Sequence, residues 1–301
     1  MHDTDQPRDA LVLFLGLTDS PWFMRAIAEV MHHQGGMDVY VPLLQGHGLT
    51  QPNGMKEVSH QVWMRNAAWA IAQARRSARR LSVGGLSTGG SLAVLLAFRD
   101  QDGQDLCSGE QRSVPRLIDG GILLFSAALR LKKQIILSGR TREQLLRTPI
   151  GTIADIWSER SGSSEKGNDQ LIGDHPYRYA RMDYGAAGEL SRIIEILDRK
   201  RRTRRWGELR GLTQPLFVAH SEADTTADIR AMANLVKASR LHDPNQVTFF
   251  RIGKDFQVPH ASIVLAERAY GHSGSPMEPA NPFFDEMMAT ALRSIVCTSA
   301  N

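Results

Sequence analysis

The stretch LSVGGLSTGG, residues 81–90, decides the fold of this chain. It begins as a short apolar strand, Leu81–Leu86, turns at Ser87 and continues as a helix from Gly89. The turn follows the pattern G-x-S-x-G, in which the serine is held in a strained backbone conformation at the end of a buried strand. Side chains two residues before and after the serine would collide, so glycine is needed at Gly85 and Gly89. The pattern predicts that Ser87 is a nucleophile and that helix N–H groups face a developing oxyanion.

Short apolar runs alternate with helical patterns along the rest of the chain. Six runs predict strands: Leu11–Leu15, Met37–Leu44, Leu81–Leu86, Leu117–Phe125, Pro215–Ala219 and Gln246–Ile252. Four stretches predict helices between and after them: Ser20–His33, Val58–Arg76, Gly89–Arg99 and Asn281–Val296. Such alternation is typical of an α/β fold with a mostly parallel sheet and helices on both faces.

One interval is too long for a simple crossover. About 90 residues separate Phe125 from Pro215, whereas a crossover helix with its loops needs about 12–30. Its flanks, Thr141–Arg147 and Ala186–Arg201, have helical patterns, and residues 159–168 are polar and rich in Gly and Ser. We therefore predict a helical cap subdomain over residues 129–205, inserted into a core of residues 1–128 and 206–301. The apolar pair Ile156 and Trp157 is its candidate substrate-binding surface.

A serine nucleophile needs a base, and the base needs an orienting carboxylate. Asp224 follows the fifth predicted strand, at the edge of the sheet where functional groups gather in open α/β folds. Glu222 and Asp228 are alternatives in the same loop. His260 follows the sixth predicted strand and is the candidate base, with His272 as its alternative. The order Ser, acid, His is the one expected for this sheet type.

Two further segments complete the pattern. The segment LGLTDSP, residues 15–21, resembles the HG-x-T-x-S-P oxyanion loop of the α/β-hydrolase superfamily, and PLLQGHG, residues 42–48, resembles its P-x-x-x-GHG turn. Together with the turn at Ser87 and the positions of the acid and the base, these segments resemble the esterase and monoacylglycerol-lipase-like branch. That branch also includes serine aminopeptidase-type and lysophospholipase-like hydrolases. The resemblance implies that the backbone N–H groups of Leu17 and Thr88 bind the oxyanion.

The chain departs from this branch in two ways. The branch has a histidine where this chain has Leu15, and most of its members carry two strands before the one at Leu11–Leu15. We expect the sheet edge left by those strands to be covered by a partner or blunted by charge.

The resemblance implies a serine carboxylic-ester hydrolase that acts on a small acyl ester, without a cofactor or a metal. An amide or peptide hydrolase, a thioesterase and an acyltransferase could use the same residues. A non-catalytic binding protein on the same fold is the alternative from another class.

Composition and charge set further bounds. The chain has 301 residues, of which 42% are hydrophobic, and its two cysteines, Cys107 and Cys297, cannot form a disulfide framework. The net charge is +4, and residues Arg199–Arg205 contain six basic side chains in seven. Without a zinc finger or an RNP-like aromatic pattern, this run does not predict nucleic-acid binding. It is typical of a solvated helix face, with weak contact to an anionic membrane surface as the alternative.

The N-terminus lacks the pattern of a signal peptide, because its flank is acidic and its apolar run is short. The sequence therefore predicts a cytoplasmic protein and leaves the oligomeric state open.

Trp63 and Trp69, both in the second predicted helix, are expected to pack in the protein core, and Trp22 is a candidate for an acyl pocket. His47 is expected to stabilise its turn rather than face the active-site cleft.

Overall fold

The computed structural model describes residues 6–49, 54–113, 115–132, 169–171, 175–201 and 210–296. Its strands, in chain order, are β1 (Ala10–Phe14), β2 (Asp38–Tyr40), β3 (Leu81–Leu86), β4 (Ile122–Phe125), β5 (Asp169–Leu171), β6 (Arg181–Asp183), β7 (Leu216–Ser221), β8 (Val247–Ile252), β9 (Ala269–Tyr270) and β10 (Pro276–Glu278). Six of them form one sheet in the order β2-β1-β3-β4-β7-β8, and every neighbouring pair is parallel. The strands β5 and β6 form one antiparallel ribbon, and β9 and β10 form another.

The α-helices, in chain order, are α1 (Arg25–His33), α2 (His60–Arg75), α3 (Thr88–Gln101), α4 (Tyr184–Arg201), α5 (Ile229–Arg240) and α6 (Phe284–Val296). A turn of 3-10 helix, Pro21–Met24, precedes α1. The Ser20 side chain caps this turn by accepting a hydrogen bond from the Trp22 N–H, with proline at the first helical position. This is the helix start that the Ser-Pro pair predicts.

Apolar side chains cover both faces of the sheet because successive residues of each strand point to opposite sides. In β1, Val12 and Phe14 pack into a core with α2, α3, α4 and α5. Leu11 and Leu13 pack into a second core with α1 and α6. The predicted parallel sheet with helices on both faces is confirmed.

Two strands are shorter than predicted. The run Met37–Leu44 forms a strand only over β2, and Pro42, which follows it, has no N–H to donate to a ladder. The run Leu117–Phe125 forms a strand only from Ile122, because the residues before it bond outside the regular ladder. There the Gly121 N–H donates to the Ser82 hydroxyl over 2.9 Å.

Helix α2 corrects one expectation about the core. Trp63 is fully buried, whereas Trp69 is 66% exposed, so the prediction that both pack in the core is wrong for Trp69. Each helical residue turns about 100°, so six residues place Trp69 about 240° around the helix from Trp63. That angle carries it away from the apolar face that contains Ala67 and Ile71.

The predicted helix at Ala186–Arg201 is present as α4, which starts two residues earlier. Its Ile193 and Leu197 are buried in the core shared with α2 and α3. The predicted helix Thr141–Arg147 and the residues Ile156 and Trp157 lie outside the described residues.

The basic run at the end of α4 is not a uniformly solvated face. Lys200 donates to the Asp102 carboxylate over 3.1 Å, and Arg201 is buried with its guanidinium bonded to the Ala231 carbonyl. Arg199 lies close to Glu195, 3.6 Å away, and is largely exposed. Residues 202–205 of the run lie outside the described part.

The sheet edge at β2 is short and charged. This strand has three residues, and its Asp38 lies 3.9 Å from Arg8. A short edge strand with a charged side chain resists pairing with another chain. No helix within the described ranges combines the length and the apolar character needed to cross a membrane.

Candidate active site

The turn between β3 and α3 has the strained geometry that its sequence predicts. Ser87 has φ of 51° and ψ of −113°, a positive φ that side-chain-bearing residues rarely adopt. A Cβ on Gly85 would lie 2.6 Å from the Gly89 carbonyl carbon, and one on Gly89 would lie 2.2 Å from the Phe14 carbonyl oxygen. The requirement for glycine at both positions is therefore confirmed.

Neighbouring strands fix this turn in place. The Ser87 N–H donates to the Phe125 carbonyl over 3.1 Å, and the Ala128 N–H donates to the Ser87 carbonyl over 3.0 Å. Thr88 is the first residue of α3, where helix geometry leaves the backbone N–H without an intrahelical acceptor. The nucleophile candidate thus sits at the N-terminus of a buried helix, next to a free amide and the positive end of the helix dipole.

Asp224 lies just beyond β7, on the same edge of the sheet as Ser87. One carboxylate oxygen, Oδ2, accepts a hydrogen bond from His260 Nδ1 over 2.7 Å. The other, Oδ1, accepts from the backbone N–H groups of Thr226 and Ala227 over 2.7 and 3.0 Å. Burial alone would raise the pKa of this carboxyl, but the charge of His260 and these hydrogen bonds outweigh it and lower the pKa to about 2. Asp224 is therefore a carboxylate near neutral pH.

His260 is tied to Asp224 through one ring nitrogen and leaves the other for proton transfer. Burial opposes the charged ring, but the Asp224 carboxylate overcomes that effect and raises the pKa of His260. Nε2 is buried and has no hydrogen-bond partner among the described residues. An imidazole held at Nδ1 by a carboxylate, with Nε2 unpaired, is the arrangement of a general base.

The alternative acids and base lie elsewhere. The Glu222 carboxylate pairs with Arg251 at 2.5 Å. Asp228 caps α5 by accepting from the Arg230 N–H over 2.9 Å. His272 is exposed in the ribbon of β9 and β10. The structure brings His260 and Asp224 together and places none of the three alternatives in that pair.

The predicted oxyanion loop leaves the sheet at the same edge as the Ser87 turn. Phe14 pairs with Gly85 in the parallel register of β1 and β3, so the residues after β1 and the turn after β3 follow neighbouring strand ends. The Leu17 N–H makes no hydrogen bond within the described part of the chain. His47 Nε2 bonds to the Gly16 carbonyl over 3.1 Å, which stabilises the loop as well as its own turn. Burial lowers the pKa of His47, so the ring is neutral and donates this bond.

Leu15 is fully buried in the apolar core on the α1 face. It packs where the resembled branch has a polar side chain, and the polar contacts of the loop come from other residues.

A second histidine, which the sequence pattern did not single out, lies beside Asp224. His220 is the next-to-last residue of β7 and has no exposed surface, and its Nε2 lies 3.5 Å from Asp224 Oδ2. Burial lowers its pKa to about 4, against the opposing effect of the Asp224 charge. The signal was present in the sequence, since His220 stands four residues before the predicted acid. The predicted strand, however, ended at Ala219.

Within the described ranges, no group of three or more His, Cys, Asp or Glu side chains is arranged to hold a metal ion.

Comparison with known proteins supports the fold. No protein-family model matches the chain, and no curated protein matches its sequence. A metagenome-derived lipolytic enzyme matches with a TM-score of 0.61 and 16% identity, over 95% of this chain and 93% of that one. A monoglyceride lipase from Saccharomyces cerevisiae matches with a TM-score of 0.59 and 11% identity, over 97% and 87%. A thermophilic esterase from Thermogutta terrifontis matches with a TM-score of 0.55 and 16% identity, over 95% and 82%. The chain has the α/β-hydrolase fold predicted from its sequence.

Proposed function

We propose that this chain is a serine hydrolase that cleaves carboxylic esters through an acyl-enzyme on Ser87. The observation that carries the proposal is the 2.7 Å hydrogen bond from His260 Nδ1 to Asp224, at the sheet edge that also presents Ser87. Ser87, Asp224 and His260 follow three different strands of one parallel sheet, in the chain order expected for this fold, which supports the proposal. The strained turn at Ser87 supports the same assignment, because such strain concentrates at functional sites.

In the first half of the reaction, the Ser87 hydroxyl oxygen attacks the ester carbonyl carbon. His260 Nε2 takes the hydroxyl proton, and Asp224 fixes the ring tautomer and stabilises the charged ring. The negative charge that develops on the carbonyl oxygen accepts hydrogen bonds from the Leu17 and Thr88 N–H groups. The tetrahedral intermediate then collapses, and the alcohol leaves with the proton from His260.

In the second half, water attacks the acyl carbon of the Ser87 ester. His260 removes a proton from this water, and the same amides stabilise the second oxyanion. The acid leaves, and the proton returns to the Ser87 oxygen. Each step uses only residues of this chain, the ester and water.

Three solved structures with the same fold are a lipolytic enzyme, a monoglyceride lipase and an esterase. They support an ester, rather than an amide or a thioester, as the substrate. Fold alone does not separate these substrates. The substrate on this proposal is a small acyl ester, with Ile156 and Trp157 of the proposed cap binding its acyl chain. The cytoplasmic location and the weak membrane contact through Arg199–Arg205 stay predictions from the sequence.

The test uses a fluorophosphonate probe, which labels an activated serine, together with nitrophenyl esters from C2 to C16 and aminoacyl anilides. The wild-type chain should be labelled and should hydrolyse esters faster than anilides. Ser87→Ala should lose the label and lower turnover on the order of 10⁴- to 10⁶-fold.

Ser82→Ala is the matched control, because Ser82 is a buried serine within β3, five residues before Ser87, and its hydroxyl accepts a structural hydrogen bond from the Gly121 N–H. It should keep the label. A wild-type chain that is folded but neither labelled nor active would overturn the proposal, as would a folded Ser87→Ala protein with substantial turnover.

A further inference from the structure

A segment just before α4 pairs with the oxyanion loop. The backbone of residues 177–179 forms a short antiparallel bridge with it: the Ser20 N–H donates to the Tyr177 carbonyl over 3.1 Å, and the Tyr179 N–H donates to the Thr18 carbonyl over 2.9 Å. The stretch between β4 and β7 therefore contacts the loop that carries Leu17.

The same segment also forms hydrogen bonds with the turn at residues 46–49. The Tyr179 hydroxyl donates to the Gly46 carbonyl and accepts from the Leu49 N–H, the latter over 2.9 Å. Between these two residues lies His47, which bonds to the Gly16 carbonyl. The oxyanion loop and this turn are thus joined through one segment of the chain.

Arg178 lies at the centre of this contact. Its Nε donates to Asp19 Oδ1 over 2.8 Å, its Nη1 donates to Glu278 Oε1, and its guanidinium lies 4.3 Å from the Phe23 ring centroid. The side chains of Arg178 and Asp19 are 8% and 6% exposed. Removing one partner of a buried ion pair leaves the other charge uncompensated, so each of these groups depends on the others.

Asp19 places a carboxylate against the backbone that precedes Leu17. A Cβ built on Gly16 would lie only 2.1 Å from Asp19 Oδ2, so this oxygen contacts the loop directly. A negative charge beside a developing oxyanion opposes its formation, and the effect is strong where water is excluded. Arg178, whose Nε lies 2.8 Å from Asp19 Oδ1, offsets that charge.

We propose that Arg178 is a positioning residue for ester hydrolysis, which through Asp19 holds the oxyanion loop and offsets the negative charge that the loop brings to the site. The inference rests on the proposed function. Leu15, buried among apolar side chains, gives the loop no polar support. Arg178 supplies that support from the stretch between β4 and β7.

The two charges also act on His260, which gives the proposal a second readout. Among the described residues, the charged groups that act on this ring are Asp224 from the loop after β7, Asp19 from the oxyanion loop, and Arg178, and His220 lies beside Asp224. Three further groups surround these: Lys132 donates to the Asp224 carbonyl, Glu278 pairs with Arg178, and His175 lies near Arg178 and Asp19. Burial lowers the pKa of His260, Asp224 and Asp19 raise it, and Arg178 lowers it. Without Arg178, the charge of Asp19 is unopposed and the pKa of His260 rises. The neutral ring is the active form of the base, so the acid limb of kcat/KM moves to higher pH.

The experiment measures kcat and KM across pH for a short nitrophenyl ester with Arg178→Met, Arg178→Lys, Asp19→Asn and the Asp19→Asn/Arg178→Met double variant. We expect Arg178→Met to lower kcat about tenfold to a hundredfold with little change in KM, and to move the acid limb to higher pH. Arg178→Lys should recover part of both effects because it keeps the charge. The double variant should move the limb back toward its wild-type position.

Arg112→Met is the matched control, since Arg112 forms another buried pair, 2.6 Å from Asp100 at the far end of α3. It should lower stability and keep the wild-type pH profile. An Arg178→Met enzyme with wild-type kcat and acid limb would overturn the inference, as would a change in KM alone.

Should Arg178→Met fail to fold, Asp19→Asn decides, because its acid limb must then move to lower pH. An unmoved limb overturns the inference. Loss of labelling and hydrolysis in the wild-type chain would instead overturn the proposed function, so the two failures are distinguishable.

Discussion

His220→Gln should make the stability of this protein less sensitive to acid. His220 is buried without exposed surface at the end of β7, and burial lowers its pKa from 6.5 to about 4. In the unfolded chain the same side chain is exposed and titrates near its ordinary value. Between these two values the unfolded state binds a proton that the folded state does not bind. The free energy of unfolding therefore falls as the pH falls through this window.

The size of this change in the free energy of unfolding follows from the difference between the two pKa values of His220. From 6.5 to about 4 is about 2.5 units, and each unit corresponds to about 1.36 kcal/mol, which gives about 3 kcal/mol. The other two titratable groups at this site, His260 and Asp224, change stability outside this pH range. The pKa of His260 is raised, so its contribution is complete below 6.5 and is lost as the pH rises through its folded value. Asp224, with a pKa lowered to about 2, loses its contribution only below 3.8.

Urea unfolding of the wild type and of His220→Gln at several pH values between 7 and 4 measures the effect. The variant should be the less stable protein at pH 7, and the gap should shrink by up to about 3 kcal/mol toward pH 4. Burial also lowers the pKa of His47 and His175, but both proteins carry these side chains and their effects cancel in the difference. His242→Gln, at an exposed position, is the control for replacing an imidazole with an amide. Parallel pH dependences for wild type and His220→Gln would refute the reasoning.

Three further predictions concern the site. Asp224→Asn should lower kcat on short esters on the order of 10³- to 10⁴-fold with an unchanged circular dichroism spectrum, because the ring tautomer is lost; a loss below tenfold would contradict the acid assignment. Gly89→Ala should lower the free energy of unfolding by about 1–3 kcal/mol, since the new Cβ would meet the Phe14 carbonyl at 2.2 Å; equal thermal stability would argue against it. For chain-length preference, kcat/KM should rise roughly tenfold per two added carbons, and Ile156→Ala or Trp157→Ala should flatten that rise, which an ester series would show.

The strained turn at Ser87 and the pairing of Asp224 with His260 could be predicted because each depends on local sequence and on one property of parallel sheets. The glycine spacing around Ser87 reflects contacts within a few residues. Asp224 and His260 follow strands whose carboxyl ends share one edge. The strand assignments alone therefore predict that Asp224 and His260 lie close together. Errors of a few residues at the ends of β2 and β4 do not change that prediction.

Arg178 and Trp69 could not be assigned in the same way. Arg178 is 159 residues from Asp19 in sequence, and it lies in a stretch whose polar pattern gave no sign of pairing with another segment. Core packing is expected of Trp63 and Trp69 alike, whereas the helical angle from Trp63 places Trp69 on the exposed side. In both cases the outcome depends on which surfaces meet in three dimensions.

The two histidines at Asp224 show how burial divides roles between identical side chains. His220 Nε2 lies 3.5 Å from the carboxylate oxygen that His260 Nδ1 meets at 2.7 Å. If His220 were charged at neutral pH, it would compete for the Asp224 charge and lower the pKa of His260 by repulsion. Burial lowers the pKa of His220 to about 4 and keeps the ring neutral near neutral pH, so His220 adds no positive charge beside the carboxylate that raises the pKa of His260. The basicity of His260 therefore depends on a neighbouring histidine that burial keeps neutral.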